Sequence, residues 1–401
     1  MRERPRGRRW MTTFEKLPRH SPKSPQNAQA AAWNAAAAAA GSEVDMMASM
    51  GRWVVLFAAA ATLYAVCSGA YYVGFFNDDA FYLIGARSLL AGSYLELNHP
   101  GLVPQTQYLP GWSFLLTPAA ALGGFAAARL TAAAAMLASV AAAAWCFADD
   151  LDEEGRLMLA ALCALNPLAV SLSGAVLTDA PFTLGVLLTL GAARRLWSRP
   201  DASVWFGLGV AAGATFLIRP LGVALPAALA GALLWEGRRK EAVFVLAGAA
   251  AVAVPWVARN LSQRSHPLLY ALEFAAPWKA RAEASAGRPL ANAVHYLGEL
   301  YGRTLFRWPF ATGASAAAGL AAAVGLALGA AGLRAGGWGG GRRALALTVA
   351  LLVAAILAWE KRSGRYLLPL APFAAAWALM GLAAVVRGAR LGPLRRAAGT
   401  T

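Results

Sequence analysis

Runs of apolar residues long enough to cross a bilayer recur at 52–74, 125–147, 157–177, 180–196, 203–218, 220–235, 241–258, 311–333, 344–359 and 366–386. Crossing a hydrocarbon core of about 30 Å takes roughly 20 such residues in a helix, and in lipid the backbone has to satisfy its own hydrogen bonds. The pattern predicts an all-α fold, a polytopic transmembrane bundle of about ten spans, over residues 46–390. One further run, YLPGWSFLLTPAAALGG at 108–124, carries proline and glycine early and suits a re-entrant or interfacial segment as well as a span.

Charge placement decides between these. If 108–124 crossed, the clusters Arg194/Arg195/Arg199, Arg238/Arg239/Lys240 and Arg334/Arg342/Arg343 would all lie outside, against the positive-inside bias. With 108–124 held at the outer interface, all three fall inside together with Arg387, Arg390, Arg395 and Arg396, so both termini are expected in the cytoplasm. The acidic loop ADDLDEEGR at 148–156 also falls inside, a small cost because acidic residues contribute little to orientation.

Composition agrees with a membrane protein: 59% of residues are hydrophobic, 14% are charged, and the mean hydropathy is +0.50. The net charge of +16 sits in short clusters between apolar runs, so it reads as a topology signal and not as a nucleic-acid footprint. Cys67, Cys146 and Cys163 lie inside apolar runs without a CxxC pair, which implies neither a disulfide framework nor a cysteine metal site. Residues 1–45 are basic, Pro/Ser-rich and Ala-rich and lack a signal peptide's apolar segment, so they read as a disordered cytoplasmic tail. Residues 391–401 read as a second basic tail, and 259–310 as a long extracytoplasmic loop.

This topology gathers the chemically interesting groups outside. NDDAFYLIGARSLLAG, starting at Asn77, predicts a juxtamembrane helix of about 14 residues capped by Asn77 or Asp78 and stopped at Gly92. A cap explains one of Asp78 and Asp79; a second adjacent carboxylate at a membrane boundary points to binding or proton transfer. Asp179 in TDAPF shares that side. Glu360, Lys361, Arg362 and Arg365, with Tyr366, set three cations where the orientation rule disfavours them, which suggests a bound anion, and Arg219 in LIRPLG adds a fourth. His99, beside Glu96, and Asn260, in the sequon RNLS, are weaker signals, and no P-loop, dinucleotide fingerprint, HExxH or nucleophile elbow is present. Carboxylates beside phosphate-binding cations at a membrane boundary suit transfer of a sugar from a membrane-borne phosphate to a hydroxyl.

In order along the chain, NDDAFYLIGARSLLAG, QYLPGWSFLLTPAAALGG before AARL, TDAPF, RPLG, PWVARN and GRYLLPLAP make residues 52–386 resemble the C-type polytopic glycosyltransferases that use lipid-linked sugars. Within that superfamily the resemblance is to bacterial relatives of protein O-mannosyltransferases and of lipid A aminoarabinose transferases. It implies a polyprenyl-phosphate sugar donor, a lipid, glycan or protein acceptor, and a bacterial inner-membrane location with an extracytoplasmic active site. It also implies Asp78 as the base of an inverting transfer, Asp79 as a second acidic position, Asp179 in support, and Arg365 with Lys361 facing the lipid phosphate. Tyr82, His99, Tyr108, Arg219, Arg362 and Tyr366 complete the substrate-binding candidates. No cofactor is required, though the carboxylates leave a divalent metal open. The chain departs from the family in having Asp79 where many relatives carry Glu, and YLPGW where aminoarabinose-type enzymes carry a double proline after a lysine. The rival class is a transporter, flippase or non-catalytic binder of a lipid-linked saccharide, expected to carry mid-span charges and two related halves, neither of which is seen in the sequence.

Overall fold

The computed structural model describes residues 47–69, 71–199, 201–263, 288–297, 316–359 and 362–398. The chain divides into two units, Met1–Val55 and Leu56–Thr401. Of the first, the described part is the opening of helix α1 (Met47–Cys67); the fold below is that of the second.

The helices that follow are α2 (Asp78–Leu90), α3 (Pro110–Leu122), α4 (Gly124–Cys146), α5 (Glu153–Ala164), α6 (Pro167–Leu172) and α7 (Asp179–Arg195). They continue with α8 (Ala202–Ile218), a 3-10 turn (Pro220–Val223), α9 (Ala224–Trp235), α10 (Arg239–Ser262), α11 (Arg288–Leu297), α12 (Ala316–Ala335), α13 (Gly340–Ala358), a second 3-10 turn (Gly364–Leu367) and α14 (Ala371–Ala398). Four of them, α1, α4, α10 and α13, are long and apolar enough to cross a membrane, and shorter apolar helices accompany them. Among the described residues there is no strand, and the protein is a polytopic helical membrane protein.

Two stretches depart from the simplest hydropathy reading. The run 108–124 becomes α3, whose 13 residues span about 20 Å, too short to cross. The run 157–177 is interrupted at Asn166–Pro167, where Pro167 has no N–H to continue α5 and the Asn166 carboxamide oxygen accepts instead from the N–H groups of Leu168 (2.9 Å) and Ala169 (3.3 Å) to start α6.

Glycines set the closest helix contacts. A Cβ on Gly209 or on Gly248 would overlap the carbonyl of Val245 or of Phe206, so α8 and α10 meet backbone to backbone. Gly332 and Gly381 do the same for α12 and α14 against Trp377 and Leu328. In lipid, where burial of apolar surface does not drive helices together, such small-residue contacts hold a bundle by packing. The buried cluster of Tyr82, Leu83, Trp112, Leu116, Ala128 and Ala132 then seats the short helix α2 against α3, and α3 against α4.

Candidate active site

A cavity of about 450 Å³ has two chemically different ends. Its polar end is made by Asp78 and Tyr82 from α2, Tyr108 before α3, Thr178 before α7, Arg219 after α8, and Arg365 and Tyr366 in the second 3-10 turn. Its apolar wall is made by Leu221, Val223, Ala224 and Ala227 on one side and Leu351, Ala355 and Ile356 of α13 on the other, with Trp359 just beyond that helix. Val223 and Leu351 are also exposed, so the wall reaches the protein surface beside α9 and α13.

The two adjacent carboxylates are separated by helix geometry, since consecutive residues point about 100° apart. Asp79 turns inward, 2% exposed, and accepts from the N–H groups of Gly74 (2.9 Å) and Ala80 (3.0 Å). It thereby holds the turn before α2, in which Gly74 and Asn77 both take positive φ. The expected side-chain cap from Asn77 is not made. Asp78 faces the cavity: one oxygen accepts from the Tyr108 hydroxyl at 3.1 Å, and the other pairs with Arg365 at 2.8 Å.

A second pair stands beside the first. Asp179, 2% exposed, opens α7 and binds Arg219 at 2.5 Å. The guanidiniums of Arg219 and Arg365 lie 5.2 Å and 5.6 Å from the centroid of the Tyr366 ring, so one aromatic ring serves both cations. Burial works against the charge of Arg365, but the nearby Asp179 and the hydrogen-bonded Asp78 outweigh it and move its pKa upward, so the cation persists. Its only side-chain hydrogen bond among the described residues goes to Asp78, and most of its donor fork is uncommitted.

The remaining candidates are placed elsewhere. His99 sits in an exposed loop, where its Nδ1 accepts from Gly101 N–H at 3.1 Å. Arg362 donates through Nε to Asn292 at 2.7 Å. Lys361 lies outside the described residues. Asn260, the sequon residue, is fully buried and donates to the Thr106 carbonyl at 3.1 Å, a position closed to glycosylation.

Sequence reasoning did not assign a role to Arg259. It donates to the carbonyls of Gln105 (2.9 Å) and Tyr94 (2.8 Å) and stacks on Trp256, while the Tyr94 hydroxyl donates to the Tyr108 carbonyl (3.1 Å). The end of α10 thus fastens the segment that delivers Tyr108 to Asp78. The signal in the sequence was an arginine at the end of a span expected to finish outside.

Among the described residues, no group of three His, Cys, Asp or Glu side chains is gathered to hold a metal ion. Asp78 and Asp179 each commit one oxygen to an arginine, and Asp79 faces the backbone.

A family model described as dolichyl-phosphate-mannose-protein mannosyltransferase matches residues 99–262, less than half of the chain. The matched stretch contributes Tyr108, Thr178, Arg219 and the α9 side of the apolar wall. The chain is in this sense similar to membrane glycosyltransferases of the C type. Among solved structures, it is similar to the archaeal oligosaccharyltransferase AglB from Archaeoglobus fulgidus, solved with an inhibitory peptide and a dolichol-phosphate, at 14% identity and a TM-score of 0.47. That similarity covers 87% of this chain and 52% of that one, so the chain spans about half its length. No curated protein matches.

Proposed function

We propose that the protein is an inverting glycosyltransferase that moves a sugar from a polyprenyl-phosphate donor to an acceptor hydroxyl on the extracytoplasmic face of the membrane. The observation that carries this reading is one cavity with Asp78 and Arg365 at a polar end and an apolar wall running from it to the protein surface. An amphipathic donor fits that arrangement: its isoprenoid lies along Leu221, Ala224 and Ala355, and its phosphate meets the guanidiniums of Arg365 and Arg219.

The Asp78–Arg365 pair supports one order of events. A donor phosphate that takes up the uncommitted donors of Arg365 draws the guanidinium from Asp78, which frees a carboxylate oxygen while the Tyr108 hydroxyl keeps the side chain aimed. Asp78 takes the proton of the acceptor hydroxyl as its oxygen forms a bond to the anomeric carbon. The bond from that carbon to the phosphate oxygen breaks, and the charge gained by the departing polyprenyl phosphate is met by the two arginines. Asp179 holds Arg219 in place and Asp79 holds the turn that carries Asp78. The extracytoplasmic assignment rests on the positive-inside distribution of the basic clusters.

The test uses purified protein in nanodiscs with a panel of radiolabelled polyprenyl-phosphate sugars, comparing wild type with Asp78→Asn. Release or transfer that disappears in the variant supports the reading. Tight donor binding without turnover in either protein overturns it in favour of a transporter or binder.

A further inference from the structure

Helix α11 stands in the stretch that the hydropathy pattern leaves as a long loop, and its two faces are unlike each other. Asn292 and Tyr296, one turn apart, are buried at 1% and 5% exposure, whereas Leu290 and Val294 are exposed at 71% and 67%. The helical repeat puts these two pairs on opposite faces. This reverses the arrangement of a water-soluble helix, which buries its apolar stripe and exposes its polar one.

The inward face is tied to the stretch that lines the cavity. The Asn292 amide donates to the carbonyls of Leu357 (2.9 Å) and Trp359 (3.0 Å) at the end of α13, and its oxygen accepts from Arg362 Nε (2.7 Å). The Tyr296 hydroxyl accepts from the Ser363 N–H at 3.2 Å. These four bonds bracket Trp359 and stop two residues short of Arg365. The outward face is carried at the end of α13, a helix long and apolar enough to cross a membrane, and an amphipathic helix at the end of a span is suited to bed in the headgroup and acyl boundary.

We propose that α11 is a lipid-seated strap: its Leu290/Val294 face takes the bilayer surface as its partner, and its Asn292/Tyr296 face positions the stretch that presents Trp359, Arg365 and Tyr366 to the cavity. Asn292 and Tyr296 are positioning residues in this arrangement and touch no substrate. The seating in lipid stands on geometry alone; the consequence for ligand binding rests on the proposed donor.

Three measurements on the full chain in nanodiscs test it. With Cys67→Ser removing the partly exposed thiol, Val294→Cys carrying an NBD fluorophore should be quenched by spin-labelled lipid more than by iodide; the reverse overturns the lipid seat. Deuterium uptake over 357–366 should rise about tenfold in Asn292→Ala and less in Tyr296→Phe, each lost bond being of the order that shifts an equilibrium severalfold. Uptake unchanged in both variants overturns the positioning role. Decaprenyl phosphate should bind about tenfold more weakly to Asn292→Ala than to wild type. Equal affinity in the two overturns the positioning role, whereas wild type that does not bind overturns the donor reading and leaves the strap to be judged by the first two measurements.

Discussion

Helix α7 carries a buried ion pair at each end, and the two ends serve different purposes. At its start, Asp179 holds Arg219 beside a cavity of about 450 Å³. At its other end, about 22 Å away by the helical rise, Arg194 meets Asp150, which also takes Arg342; both contacts are 2.6 Å. The void beside that second site is only about 20 Å³. Asp150 spends both oxygens on arginines, and Arg194 spends its other nitrogen on the Cys146 carbonyl. The same residue types thus make a closed staple at one end and, at the other, a set of charges whose donors border empty space. Burial and pairing alone do not mark function; the proposed function rests on pairing that leaves donors facing a cavity.

That contrast predicts opposite outcomes for two aspartates. Asp150→Ala strands the buried Arg194 without its partner, and removing one member of a buried pair typically costs several kcal/mol, here about 3 kcal/mol because Arg342 is part-exposed and keeps its water. The expected result is a marked fall in melting temperature and in yield from detergent, with donor affinity per folded molecule unchanged. Asp78→Asn should do the reverse: fold and melting temperature are kept and sugar transfer falls about 10²–10⁴-fold, the range for loss of a general base. If Asp78→Asn melts as low as Asp150→Ala, the contrast between the two ends fails.

The sequence allowed the helical membrane fold, the outer helix from Asp78 and the acidic and basic motifs to be read, because hydropathy runs and charge placement are local signals. Which of Asp78 and Asp79 faces the cavity was not legible, since that depends on the rotation at which α2 docks, fixed by the Gly74 turn and the Tyr108 contact. Asp150 looked like any member of an acidic loop, because its partners Arg194 and Arg342 are 44 and 192 positions away. Asn292 and Arg259 were hidden because most of their partners are distant main-chain carbonyls, which leave no trace in the identity of the residues bearing them. The interruption at Asn166–Pro167 was legible in principle, but a continuous apolar run masked it.

Two smaller substitutions sharpen the comparison at the cavity end. Arg365→Gln removes a charged donor from the cavity and should weaken decaprenyl phosphate binding about 10–100-fold, in line with hydrogen bonds to charged groups. The matched change in the staple, Arg342→Gln, should leave that affinity unaltered; titration of both variants in nanodiscs decides it, and equal losses would mean that the staple also governs the ligand.

Tyr108→Phe is expected to give the smallest effect, and its sign separates two roles for the hydroxyl. The ring stacks on Phe81 at 4.9 Å and keeps that packing without its oxygen, so the change reaches Asp78 mainly through the lost 3.1 Å bond. The acceptor is a carboxylate, so at the low end of the range for hydrogen bonds to charged groups the bond contributes about 1.5 kcal/mol, or roughly tenfold. If the hydroxyl aims Asp78 at the acceptor, kcat falls about tenfold while donor affinity holds. If its main effect is instead to keep Asp78 on Arg365, the variant loosens that ion pair, the donor phosphate meets less competition, and donor affinity rises. Steady-state kinetics with one labelled donor distinguishes the two, because aiming is an interaction spent in the transition state and competition one spent in the ground state.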